Sequence, residues 1–217
     1  MAVTGTNPAT LAAARKELGS GVLVIASDAG NSAAQVELAA TLAQAFGKLD
    51  ILVVNAGVVE MRPLEKWDEK AFDRSMAINF KGPFFLLQAL LPAFANPASI
   101  VLNTSINAHI GMPNTSVYGA SKAALLSLAR TISGELISHA VRVNAVSPGP
   151  TSTPLYGKLG LPEADLQNVA ASLQSQVPAA RFANPSEIAK AVVFLASDET
   201  GFAVGSELTI DGGMSTL

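Results

Sequence analysis

Tyr118 and Lys122 stand four residues apart in the stretch YGASK, and Ser105 precedes the tyrosine by 13 positions. At the start of a helix this spacing sets phenol and ammonium on one face, where both can meet the same bound molecule. A neighbouring ammonium stabilises phenolate, so the expectation is a depressed tyrosine pKa and a more effective acid/base group. A hydroxyl at the exit of a strand, which Ser105 would be, can donate a hydrogen bond to a carbonyl oxygen as negative charge develops there. The set suits proton transfer coupled to hydride transfer at a carbon–oxygen bond. Hydrolysis would call for an activated thiol, paired carboxylates or a metal cluster, and none is evident. Each residue also has a plainer reading: an isolated Tyr-x-x-x-Lys can be a helix-surface pair, and Ser105 a turn hydroxyl. His109 has no carboxylate or second histidine placed beside it by the sequence, and His139 reads as structural.

Such groups need a scaffold that brings distant positions to one edge. GVLVIAS (21–27) and DILVVNAG (50–57) are short, continuous apolar runs with a helical pattern over 33–47 between them. Apolar strands separated by helices indicate a parallel sheet covered on both faces. Residues 99–105, 140–146 and 207–210 read as further strands, and 68–94, 116–138, 163–175 and 185–196 as helices, with Pro83 expected to kink or interrupt the long one. Asn7 with Pro8, and Asn184 with Pro185 and Glu187, carry helix-start signals. Ligands of such sheets sit beyond the carboxyl ends of the strands, which selects Asp28, Asn55 to Gly57, Ser105 and Pro148 to Thr153.

The composition supports one domain, residues 1–217, with 49% apolar content. Fourteen basic against 17 acidic residues leave no positive excess for a phosphate backbone, so nucleic acid is not an expected partner. With no cysteine and two isolated histidines, neither a disulfide framework nor a metal site is expected. No run approaches the roughly 20 apolar residues of a membrane helix and no signal-peptide layout opens the chain, which points to a cytoplasmic protein without membrane contact.

Taken together, Asp28, NAG at 55–57, Asn79, Ser105, YGASK at 118–122, Asn144, PGPTSTP at 148–154 and DGG at 211–213 resemble the short-chain dehydrogenase/reductase family. The resemblance implies a Rossmann-like, doubly wound, three-layer α/β/α fold with a seven-stranded parallel sheet. It also implies NAD or NADP as cofactor, a small alcohol or carbonyl substrate, and a homo-oligomer, commonly a tetramer. It gives Tyr118 the role of general acid/base. Lys122 would bind the nicotinamide ribose, Ser105 polarise the substrate carbonyl, and Asn79 hold a helix distortion and a water of the proton relay. Asp28 would contact adenine, while Asn55, Ala56 and Gly57 line the cofactor cleft. Pro148 and Gly149 would shape its nicotinamide side, and Thr153 contact the carboxamide. The segment 155–178 resembles the variable substrate lid, with Leu155, Leu159, Leu161 and Val169 facing an apolar part of the substrate. Met112 and this lid favour an apolar or mixed pocket over a strongly anionic one.

The opening departs from the pattern. TGTNPATL (4–11) has the first glycine of the family's phosphate-binding turn and neither later one. The expectation is therefore an N-terminally truncated sheet, without the first strand and glycine-rich loop. An inactive structural or oligomer-forming homologue stands as the alternative to an enzyme.

Overall fold

The computed structural model describes residues 1–153 and 163–217. In chain order the elements are β1 (Ala2–Gly5), α1 (Pro8–Leu18), β2 (Leu23–Ala26), α2 (Ser32–Phe46), β3 (Leu49–Val54), α3 (Glu69–Met76), α4 (Gly82–Leu90), β4 (Phe94–Asn103), α5 (Ser116–Leu136), β5 (Val141–Pro148), α6 (Glu163–Ser175), α7 (Pro185–Ala196) and β6 (Glu207–Ile210). Every strand pairing is parallel.

The centre of the fold follows from period-two alternation in the buried strands. Ile100 and Leu102 of β4, with Val143 and Ala145 of β5, face a cluster that includes Leu38, Leu87, Leu90 and Leu125 from α2, α4 and α5. Their neighbours Val101 and Val146 face the other way, against Ile188, Ala191 and Leu195 of α7. Helices thus cover both faces, and the three-layer α/β/α arrangement is present.

The sheet differs from the seven strands that the family resemblance implies. Among the described residues six strands form two parallel sheets, β1-β2 and β3-β4-β5-β6. Ile51 and Val53, on one face of β3, are 53% and 42% exposed. The expectation of a truncated opening is also corrected. The chain begins on a strand paired with β2 from Ala2↔Leu23 to Gly5↔Ala26, and α1 follows directly. The turn between them closes without further glycines because Asn7 Oδ1 accepts from the N–H groups of Ala9 and Thr10, at 2.9 and 3.3 Å, and Pro8 opens the helix.

The predicted helix over 68–94 is divided by a π-helical turn at Ala77–Lys81. Pro83 has no N–H for the carbonyl of Asn79, four residues back, and its ring would crowd that oxygen; a widened turn relieves both problems. α4 then passes so close to the β2–α2 turn that a Cβ on Gly82 would lie 1.7 Å from the carbonyl oxygen of Ala29. Glycine is required there by contact, since no side chain fits.

Candidate active site

Beyond the carboxyl ends of β3, β4 and β5 lies a cleft of about 830 Å³. Its walls include Asn55, Gly57, Ser105, Tyr118, Lys122 and Pro148, and also Gly149 and Thr153. Asp28 and Ala56 lie outside the lining. The Asp28 carboxylate accepts from the Gly30 N–H at 2.8 Å and so shapes the turn after β2. Of the proposed covering segment, Leu173 of α6 reaches the cleft and Val169 is not part of its wall. Leu155, Leu159 and Leu161 lie outside the described residues.

Each position of YGASK has a local reason. Tyr118 and Lys122 emerge from the first turns of α5, and the Lys122 ammonium lies 5.9 Å from the centre of the phenol ring. Gly119 allows the Asn107 carbonyl to press onto the helix, since a Cβ there would be 3.0 Å from that oxygen. Ser121 is fully buried; its hydroxyl donates to the Tyr118 carbonyl at 2.7 Å and accepts from Asn79 Nδ2 at 3.0 Å.

Asn79, also fully buried, is a three-way clamp outside the cleft wall. Besides Ser121, its Nδ2 donates to the Val58 carbonyl at 2.9 Å and its Oδ1 accepts from the Val58 N–H at 2.8 Å. One carboxamide therefore ties the π turn to the segment after β3 and to α5.

The catalytic-type hydroxyls are brought together by the loop after β4. Ser105 and the Tyr118 phenol line the same cleft, and the Ser105 hydroxyl donates to Asn107 Oδ1 at 3.3 Å and accepts the Asn107 N–H at 3.2 Å. Asn107 Nδ2 in turn donates to Thr115 Oγ1 at 3.1 Å, and Thr115 donates to the Met112 carbonyl at 2.8 Å. Burial raises the Tyr118 pKa, and the Ser105 hydroxyl only partly offsets it. Burial also pushes Lys122 down to about 8. The expected depression of the tyrosine pKa by the lysine is thus absent from this state, because desolvation dominates both groups. A protonated phenol is nonetheless the form that delivers a proton to a carbonyl oxygen.

Two observations bear on whether a nicotinamide dinucleotide fits. Lys122 Nζ donates to the Asn103 carbonyl at 2.7 Å, leaving ammonium donors for a ligand. Asn103 Oδ1 is buried without a hydrogen-bond partner among the described residues, while Asn103 Nδ2 donates to Asn55 Oδ1 at 2.5 Å. A donor pair and an orphaned acceptor at the cleft floor suit a ribose diol. Gly57 keeps the space open, since a Cβ there would come within 3.4 Å of Lys122 Nζ. On the opposite side Gly149 donates to the Ile210 carbonyl at 2.9 Å, and a Cβ on it would meet Asp211 Cα at 2.7 Å.

Sequence reasoning missed Asn103, Asn107, Thr115 and Glu207. The first two flank Ser105 closely enough to have been suspected. Glu207 is 98 residues from its partner His109, and pairs with it at 2.6 Å. His109 thus has the carboxylate the sequence did not place beside it. His139 ends the turn after α5 and is not part of the cleft wall.

A parallel α/β fold with tyrosine, serine and lysine in one cleft beyond the strand ends is what an oxidoreductase of the dinucleotide-binding type would need. Comparison with known proteins agrees. The family model described as enoyl-(acyl carrier protein) reductase matches residues 1–215. An uncharacterized oxidoreductase of Thermotoga maritima is 35% identical over 204 residues, 93% of this chain and 80% of the relative. The 3-oxoacyl-acyl-carrier-protein reductase FabG of the same organism is 35% identical over 180 residues, 82% of this chain and 71% of the relative. A solved short-chain dehydrogenase/reductase from Brucella melitensis superposes with a TM-score of 0.91 at 32% identity, covering 100% of this chain and 86% of that one. One from Serratia marcescens gives 0.89 at 30%, covering 99% and 87%. The chain belongs to the short-chain dehydrogenase/reductase family and is an NAD(P)-dependent oxidoreductase acting on a small carbonyl or alcohol. Because these structures match essentially all of this chain, including β1 and α1, the truncated reading is overturned, and with it the inactive alternative.

Proposed function

We propose that the protein reduces a neutral, largely apolar carbonyl compound, or oxidises the matching alcohol, with Tyr118 as general acid/base. The observation that carries this reading is the single cleft whose wall holds the Tyr118 phenol, the Ser105 hydroxyl and Lys122 together. Val59, Met61, Ile106, Met112 and Leu173 line the same space, and Lys122 is the one cation among its described lining residues. A carboxylated substrate would have no partner but the lysine that the ribose needs.

The cofactor supplies or accepts the hydride. Lys122 and Asn103 would hold its ribose, with Asn55 and Gly57 along the same wall and Pro148, Gly149 and Thr153 on the nicotinamide side. Ser105 donates to the substrate oxygen and orients the carbonyl, while the Tyr118 phenol delivers its proton to that oxygen. In oxidation the phenolate takes the proton back. Asn79 acts at one remove by fixing α5 against the segment after β3. Asp28, at the carboxyl end of β2, supports the adenine end.

Residues 155–178 are read as the substrate-covering part of the single domain 1–217, supported by Leu173 in the cleft wall. The absence of cysteine supports a reducing, cytoplasmic setting. No helix among the described residues is long and apolar enough to cross a membrane. A homotetramer is the assembly in which we expect the chain to work, which light scattering on the purified protein tests.

The functional test titrates the protein with NADH and NADPH and then compares neutral ketones with keto acids of equal size. Neutral ketones should be turned over with the higher kcat/KM. Tyr118→Phe should retain cofactor affinity and lose roughly a thousandfold in kcat. Turnover surviving that substitution would sink the assigned role.

A further inference from the structure

A chain of polar groups on the far side of the β4 and β5 ends converges on one carboxylate. Glu207, at the start of β6, accepts at Oε1 from the Ser147 hydroxyl at 2.5 Å and pairs there with His109 Nε2 at 2.6 Å. Arg130 of α5 approaches Oε2 at 3.5 Å. Ser147 Oγ is 2.5 Å from Thr104 Oγ1, which is also 2.8 Å from the Val146 carbonyl. Thr104 and Ser147 are both buried. The Ser147 proton goes to Glu207, and the single Thr104 proton is shared between the Val146 carbonyl and Ser147 Oγ, so the three groups form one connected network ending on the carboxylate.

The elements joined in this way carry the reacting groups. Thr104 immediately precedes Ser105, and its N–H also donates to the Val146 carbonyl at 2.8 Å. Ser147 precedes the Pro148–Gly149 turn. His109 ends the short 3-10 helix Ile106–Ala108 that follows Ser105, so Glu207 grips the serine loop on both sides of the catalytic hydroxyl. Arg130 belongs to the helix that presents Tyr118 and Lys122. A buried network of this kind fixes geometry only while every member is satisfied.

We propose that Glu207 is a positioning residue of the active site: through Ser147 and Thr104 on one side and His109 on the other, it holds the Ser105 loop so that the serine hydroxyl meets the Tyr118 phenol. The inference rests on the Ser105–Tyr118 pairing in the proposed function and does not require knowledge of the substrate.

The test reads the phenol directly. With Tyr156→Phe removing the chain's other tyrosine, the carbon-13 resonance of the Tyr118 ring carbon bearing oxygen reports its hydrogen bonding near neutral pH. Ser105→Ala sets the position of the signal without the serine bond. Glu207→Ala and Thr104→Val should each move the resonance toward that position, and the double variant should move it no further than the larger single one. Glu207→Gln, which keeps an acceptor for Ser147, should stay with the wild type. On any neutral ketone that is turned over, Glu207→Ala should lower kcat about tenfold with KM changed less than about twofold. A Tyr118 signal at the wild-type position in both Glu207→Ala and Thr104→Val, while Ser105→Ala shifts it, overturns the role of Glu207. A signal that Ser105→Ala itself leaves unmoved overturns the pairing and the inference together. Thr104→Val, which changes one buried hydroxyl to a methyl, carries the decision should Glu207→Ala not fold.

Discussion

The β1-α1-β2 unit and the β4-α5-β5 unit are both parallel strand–helix–strand repeats, yet they are built to different standards. In the first, the strands are four residues long, Leu11 is the one buried residue of α1, and the helix begins on a cap of its own making. In the second, strands of ten and eight residues flank a helix with seven buried positions. Side-chain clamps from Asn79, Asn107, Thr104 and Ser147 then lock the ends. Packing is densest around the phenol, hydroxyl and ammonium that we propose act on one carbon–oxygen bond, and the N-terminal unit is held by far fewer contacts.

Substitutions can attack this contrast at its seam or at either end. The largest effect is expected at the seam, where α4 meets the turn after β2. Gly82→Ala must displace the Ala29 carbonyl and should cost about 3 kcal/mol or more in urea unfolding. A near-neutral result would mean that the two halves are less tightly joined than the 1.7 Å approach requires.

Lys122 sharpens the comparison through pH. Its pKa lies near 8 in the fold against an ordinary 10.5. Between these values the unfolded chain binds more protons than the folded one, so stability should rise with pH across that window. Below about pH 8 the buried cation imposes its full cost, on the order of 3 kcal/mol. Unfolding free energies measured from pH 7 to about pH 10 should show this slope in the wild type and lose it in Lys122→Met. An identical slope in both would place the titrating group elsewhere. The raised tyrosine acts in the opposite sense and only above about pH 10.

The smallest effect belongs to the N-terminal unit. Asn7→Ala removes both cap bonds of α1 and should cost about 1 kcal/mol. Hydrogen exchange should quicken at the start of α1 and stay unchanged in α5. Faster exchange in α5 would show that the two units are coupled more closely than their construction suggests.

Local signals in the sequence carried much of this structure. The helices at 163–175 and 185–196 and the strand at 207–210 are legible to the residue, the second of them because a cap and a proline open it. Glu187 does reach back to the Asn184 N–H, at 2.8 Å. The placement of Tyr118 beside Lys122 is helix geometry and needs no tertiary knowledge. What is not legible depends on distance along the chain. The Asn79 clamp spans 42 residues to Ser121, and the Glu207 pair spans 98. The direction of the tyrosine pKa is not legible, because spacing reveals a neighbouring charge but not the burial that outweighs it. The opening is illegible for a related reason: it lacks the family's glycines, yet an asparagine cap and a proline suffice to turn β1 into α1.

The buried amine also has a reagent chemistry of its own. An amine that sheds its proton near pH 8 is a strong nucleophile in mildly alkaline solution, whereas ordinary surface lysines remain protonated there. Lys122 is protected from bulk acylating agents by its enclosure, yet it faces an open cleft. Small electrophiles shaped like a ketone substrate would therefore acylate this side chain ahead of the others, and a dinucleotide seated over it would shield it. Peptide mass mapping would register both effects, making the lysine an occupancy gauge for the cleft before any substrate is known.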